Sequence, residues 1–269
     1  MPETPILQDV ADLLGQNDPE AALEALKGHV RREVGDAGLR LTLAQLELIN
    51  GDWDKADAAL DATGTLDPER ALLCQQWRLQ TEAERTRAEV FAGRKTAFVM
   101  GDPQPWIASL QDALRLDAEG EAKAADTSRR HALESAPARS GTIDGTTFEW
   151  LCDADERIGP IFEAIVNGRY TWIPQGVVQS VSIPRPSELI DSVWSEAVIR
   201  LTNGGETGVM MPVRYPGSEH AEDGRLRLAR LTSFEASEGG TQIGLGQRLF
   251  ATEEDDHPLL QTRQIEFNT

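Results

Sequence analysis

The chain has 269 residues, 40% of them hydrophobic, and a formal net charge of -19. That length fits one large or two ordinary soluble domains. The excess of acid excludes nucleic acid and anionic membranes as natural partners, since their phosphates would be repelled, and favours solubility or a basic partner surface.

The opening residues, MPETPILQDVADLL, carry neither the basic start nor the apolar run of a secretory signal, and no segment approaches a membrane span. Cys74 and Cys152 are the two cysteines and lie far apart, so no disulfide framework is expected. A reducing, cytoplasmic setting follows as the expectation.

Residues 5 to about 94 read as helices. Ile6, Val10, Leu13 and Leu14 share a face, and Gly15 stops the turn. Asp18-Pro19 restarts the chain, and Ala22, Leu23, Leu26 and Val30 repeat at helical spacing. Residues 39–69 resemble one tetratricopeptide repeat, with Leu43 and Ala44 in the first helix, Gly51 and Trp53 at the turn, then Ala56, Leu60 and Pro68. Residues 14–26 resemble a degenerate copy, Gly15 standing where Gly51 does. Ala71 to Arg94 is a further long helix, with Trp53 and Trp77 at core positions.

Asp102-Pro103 opens an amphipathic helix to Asp117 that carries Trp106, Ile107, Leu110, Leu114 and Leu116. Glu119 to Ser135 is Ala-rich and charged, a surface or bridging helix. Residues 135–147 break all periodicity. The boundary is placed there, giving a helical domain over 1–137 and a mainly β domain over 138–269.

The densest stretch is Phe148 to Pro174. Asn167-Gly168 predicts a type I′ hairpin turn, which pairs Phe162 with Ile173, Ala164 with Thr171, Glu163 with Trp172 and Ile165 with Tyr170. Both faces of this ribbon are largely apolar, so both should be covered. Val177 to Ile183 alternates as a strand, and Ser187 to Val193 reads as a short helix with Ser187 as its cap. Ala197 to Met211 forms a second hairpin around Asn203-Gly204-Gly205. Arg214 to Gly217 is a turn. Leu226 to Phe234 and Gln242 to Ala251 read as strands, and Gln264 to Phe267 as an edge strand. The fold class is therefore α+β: a TPR-like all-α helical-repeat domain, then a mainly antiparallel β domain with short helices.

Few residues suggest chemistry. Asp153 and Asp155 are spaced to share a hard cation, but a turn capped by its own side chains accounts for them better. His29, His131, His220 and His257 stand in no metal-spaced or triad-like motif, and surface positions suit them. Cys152 has no histidine near it in sequence and reads as a structural thiol. GLGQRLF, residues 244–250, lacks the lysine-hydroxyl pair of a phosphate loop. Arg169, Tyr170 and Trp172 at the first hairpin, and Arg214 with Tyr215 at the later turn, are the candidate partner contacts, because aromatic-arginine groups are enriched in binding hot spots. Core packing competes with that reading for Tyr170 and Trp172. No cofactor and no metal site is expected.

Six strings stand in one order: WLCDADERIGP from Trp150, IVNGRYTWIP from Ile165, LTNGGE from Leu201, RYPGSE from Arg214, LRLARLTSFE from Leu226 and GLGQRLFATEE from Gly244. Together they resemble the ImpE family, also called TagJ, the accessory proteins of bacterial type VI secretion clusters. The resemblance implies a non-enzymatic adaptor that binds the N-terminal helix of the small contractile-sheath subunit and thereby influences sheath handling by the disassembly ATPase. Two alternatives of other classes are a metal-assisted hydrolase using Asp153, Asp155 and His220, and a general helical-repeat scaffold for another client.

Overall fold

A computed structural model describes residues 7–102 and 104–268. Ile6 and Pro103, named above at helix starts, lie outside the described residues. The helical part begins with α1 (Gln8–Gly15), α2 (Pro19–Arg32), α3 (Ala37–Ile49) and α4 (Trp53–Leu66). A short 3-10 turn, Pro68–Arg70, leads into α5 (Ala71–Phe91). The acids do local work at the starts. Asp18, Asp36 and Asp52 each accept a hydrogen bond from a backbone N–H of the helix that follows, which satisfies one of its free donors. Each of these helices packs on its neighbours in sequence.

The two helical turns differ from expectation. Gly51 does adopt the left-handed conformation at φ 78°, but in the earlier turn Asn17 takes that role at φ 62° while Gly15 stays inside α1. Asparagine tolerates this region because its short polar side chain bonds locally.

After α5 come a two-residue strand β1 (Phe98–Val99), α6 (Pro105–Ala118) and α7 (Ala122–Ser135). Trp106, Ile107, Leu110 and Leu114 of α6 are buried as their spacing predicts, whereas Leu116 is half-buried. Helix α7 buries Ala125, Arg129 and Ala132.

The following strands are β2 (Gly141–Ile143), β3 (Thr146–Phe148), β4 (Cys152–Asp153), β5 (Ile161–Val166), β6 (Arg169–Pro174), β7 (Val178–Ser182), β8 (Trp194–Leu201) and β9 (Glu206–Pro212). A one-turn helix α8 (Gly224–Arg227) precedes β10 (Thr232–Ala236), β11 (Gln242–Gly246), β12 (Leu249–Ala251), β13 (Asp256–Pro258) and β14 (Gln264–Phe267). Among the described residues the main sheet runs β1-β6-β5-β9-β8-β7-β14-β2-β3, antiparallel except where β1 joins β6. Smaller sheets are β10-β11 and β13-β12-β4.

The β5–β6 ribbon pairs in the expected register, including Glu163 opposite Trp172 and Ile165 opposite Tyr170. Asn167 and Gly168 supply the two positive φ values, 50° and 76°, that a type I′ turn needs. Ala164 and Ile173 join Phe162 in one core with Val181, Ile199, Phe250 and Ile265. Phe162 meets Phe250 edge-to-face at 5.7 Å. The opposite face carries Ile165, Tyr170 and Trp172 into a second core shared with Trp77, Val90, Trp106 and Ile107 of the helices. Alternation along one strand thus serves both layers.

Four expectations fail, each for a local reason. Leu226 to Leu231 is not strand: Asp223 caps α8 by accepting from the Arg225 N–H, and Ala229 turns the chain at φ 53°. The stretch 242–251 breaks in two at Gly246, φ 86°, where the Leu231 carbonyl oxygen would lie 2.0 Å from any Cβ. Strand β14 is interior, seated between β7 and β2. The short helix near 190 is a 3-10 turn, Leu189–Ser192, capped by Glu188 rather than Ser187, with Asp191 accepting from the Ser187 and Glu188 N–H groups. Strand β1, inside the helical half, had no alternating pattern long enough to read.

Candidate functional site: a buried charge network and the groove beside it

Glu163 is the one acid in the apolar run of β5, and its position facing Trp172 aims it at the helices. A carboxylate there must be paired, because an isolated buried charge is too costly. Arg87 of α5 donates to it twice, Nε to Oε1 at 2.8 Å and Nη2 to Oε2 at 3.3 Å. Arg248, in the bend between β11 and β12, donates to Oε2 and the Tyr170 hydroxyl donates to Oε1. Trp172 Nε1 in turn donates to the Tyr170 hydroxyl at 2.7 Å. The network continues outward: Glu84 accepts from Trp194 Nε1 at 2.9 Å, and Arg87 Nη2 donates to the Arg214 carbonyl at 2.9 Å.

Burial pushes the Glu163 carboxyl up, but Arg248 and Arg87, helped by the hydrogen bonds from Arg87 and Tyr170, outweigh it and hold the pKa at about 2. Asp153 goes the other way. Burial, with the charges of Asp155 and Glu163 adding, lifts it to about 7 against the pull of Arg248, whose Nη1 lies 3.4 Å from Oδ2 without a hydrogen bond. Two buried carboxylates near the same arginine are thus driven apart by how many donors each receives.

Around this network, arginines of the C-terminal half bond the ends of N-terminal helices. Arg214 donates to the carbonyls of Ile49 at 2.7 Å and Leu48 at 3.2 Å, the last residues of α3, and to that of Arg227 at 2.7 Å. Arg230 Nη1 donates to the Leu14 carbonyl of α1 at 2.5 Å and to Asn17 Oδ1 at 2.8 Å. Cations at helix C-termini satisfy orphan carbonyls and complement the dipole. Further along, Arg129 of α7 donates to Thr241 Oγ1 at 2.6 Å, which ties that helix to the β10–β11 connection.

Of the five candidate contact residues, Tyr170, Trp172, Tyr215 and Arg214 are buried, the first three almost completely. Tyr170 and Trp172 are engaged in the network and Arg214 at the end of α3, while the Tyr215 hydroxyl accepts from the Leu249 N–H at 3.0 Å. Only Arg169 is exposed, with its guanidinium over the Phe98 ring at 5.0 Å.

The possible cation pair is likewise engaged. Asp153 Oδ1 accepts from the Asp155 N–H at 2.9 Å. Asp155 accepts from the Arg157 guanidinium, from the Arg157 N–H at 2.9 Å and from the Gly244 N–H at 3.0 Å. His220 is not brought to them; its ring lies against Gly51. Burial and the adjacent Asp153 push the Cys152 thiol up to about 12, which leaves little thiolate at neutral pH.

Glu163, Arg87, Arg248, Glu84 and Trp194 were missed by sequence reasoning. The available signal was Glu163 itself, a charge inside a strand predicted to be covered on both faces.

Beside the network, a groove of about 1040 Å³ opens between α5 and the sheet. Its helix wall includes Leu73 and Leu79; its floor includes Val198, Gly208 and Met210; the hairpin tip Gly168 closes one end against Leu79.

The molecule is thus an α+β protein in which a helical layer and a mainly antiparallel sheet share one buried ion network, with an apolar groove at their junction. Residues 145–266 match the ImpE protein family. The type VI secretion system accessory component TagJ of Pseudomonas aeruginosa is 40% identical over 256 residues, which span 95% of this chain and 90% of that protein. The crystal structure of protein VPA1032 from Vibrio parahaemolyticus aligns with a TM-score of 0.90 over 97% of this chain and 98% of that one, at 22% identity, a likeness of fold. The chain belongs to the ImpE/TagJ family of type VI secretion accessory proteins.

Proposed function

We propose that this protein is a non-catalytic, cytoplasmic adaptor of a bacterial type VI secretion system. It binds the N-terminal α-helix of the small contractile-sheath subunit, and through it influences sheath assembly or disassembly, with the disassembly ATPase an indirect partner. We read residues 1–137 as a TPR-like helical domain and 138–269 as the β domain that completes its core. The observation that carries the reading is the 40% identity, over 95% of the chain, to a protein named as an accessory component of that system. The apolar groove supports it, since an amphipathic helix can lay its apolar face into a hydrophobic groove. The test is fluorescence anisotropy with a labelled peptide of that N-terminal helix, titrated with the whole protein. Saturable binding at micromolar or tighter Kd is expected. No change in anisotropy, with the peptide shown by circular dichroism to form a helix, would refute the reading.

A further inference from the structure

The helical layer covers only part of the sheet. On the face that carries Trp194, strand β8 continues outward as Glu196, Val198 and Arg200, paired across with Met210, Gly208 and Glu206 of β9. Val198 is 43% exposed although its neighbours Ala197 and Ile199 are buried on the other face. Ser182 of β7 pairs with Val198 on the far side. The floor is therefore a row of small side chains, Ser182, Val198 and Gly208, and a Cβ at Gly208 would meet nothing within 4 Å. The α5 wall supplies Leu79, 49% exposed, and beyond it Leu72, 67% exposed, one further turn pair along the same helix.

The charge is one-sided. Glu196 is the acidic residue that lines the groove, no lysine or arginine lines it, and among the described residues no cation pairs with Glu196. Along the same face, Arg200 is taken by Glu206 at 3.3 Å.

We infer that this groove is the seat of the partner helix: a basic amphipathic helix lies on the uncovered face of β8 and β9 alongside α5. Its apolar residues meet Leu79, Val198 and Met210, and a lysine or arginine meets Glu196. The inference rests on the adaptor reading and adds the site and the chemistry of the occupant. Gly208 matters because its missing side chain sets the depth of the floor.

The test repeats the peptide titration with full-length variants Val198→Glu, Gly208→Val and Glu196→Lys, and with Val34→Glu as a control on an exposed residue outside the groove. All four positions are exposed, so each variant should keep its circular dichroism and melting temperature. At least a tenfold rise in Kd is expected for Val198→Glu and Gly208→Val, a smaller, salt-sensitive rise for Glu196→Lys, and none for Val34→Glu. If the unaltered chain binds and all variants bind equally, or Val34→Glu weakens binding as much as the groove variants, the groove assignment is overturned while the adaptor reading stands. If the unaltered chain does not bind, both fall. Light scattering that shows a dimer broken by Val198→Glu would make the groove a self-interface and also overturn the assignment.

Discussion

Glu163→Gln should be among the most damaging single changes outside the hydrophobic cores. The substitution keeps the shape and removes the charge that two buried guanidinium groups share. Arg87 would retain Glu84 and the Arg214 carbonyl, whereas the only carboxylate left to Arg248 among the described residues would be Asp153, at 3.4 Å and without a hydrogen bond. Holding the Glu163 carboxyl at about 2 rather than its ordinary 4.5 corresponds to about 3 kcal/mol, at about 1.4 kcal/mol per pH unit. Removal of one partner from a buried ion pair costs about 3–5 kcal/mol in other proteins, so the two figures agree. With a urea m-value of about 3 kcal/mol/M, the midpoint of unfolding at pH 7 should fall by roughly 1 M. The sign with pH is fixed. A carboxyl whose pKa is depressed in the folded state stabilises fully above about 4.5, and that advantage drains away as the pH falls toward about 2. The gap between parent and variant should therefore be full at pH 5–7 and close below pH 4. A Glu163→Gln variant within 1 kcal/mol of the parent at pH 7 would refute the reasoning.

Asp153→Asn should stabilise the protein at pH 8 and change little at pH 4. A carboxyl raised from 3.8 to about 7 costs stability increasingly as the pH rises between those values, by at most about 4 kcal/mol, and chemical unfolding from pH 4 to 8 reads the slope. An unchanged slope in the variant would remove Asp153 as its source. Gly224→Ala should lower Tm by roughly 5–10 °C, because the new Cβ would sit 1.9 Å from the Asn17 carbonyl oxygen and 2.7 Å from Pro19 Cδ, forcing α8 off the α1–α2 turn. Gly35→Ala, with nothing within 4 Å, should leave Tm unchanged and serves as the control.

The elements with strong local signals were legible. The β5–β6 ribbon could be read to its register, because Asn167-Gly168 admits few turns and the turn then dictates every pair. Helical spacing in α2 and α6 found Leu23, Leu26, Ile107, Leu110 and Leu114, and the repeat-like pattern in α3 and α4 found Ala44, Ala56 and Leu60, whereas Leu43 and Trp53 are only half-buried. What could not be read depends on contacts distant in sequence. Helix α8 replaces a strand-like alternation because the segment is pressed against the α1–α2 turn, where Arg230 bonds Leu14. Strand β14 is interior because β2, more than a hundred residues earlier, pairs with its outer edge. The candidate contacts show the same limit. Aromatic-arginine groups mark binding surfaces and buried networks alike, and for Tyr170, Trp172, Arg214 and Tyr215 only the fold distinguishes the two. The groove left no mark of its own, since Val198 and Gly208 alternate with core residues as any half-covered strand would.

The adaptor reading is tested most directly by isothermal titration of the whole protein with the purified small sheath subunit from the same gene cluster, intact and with its N-terminal helix removed. Saturable binding of the intact subunit, with a negative heat-capacity change from apolar burial, should disappear when the helix is removed. Equal affinity for the shortened subunit, or no binding of the intact one, would contradict it.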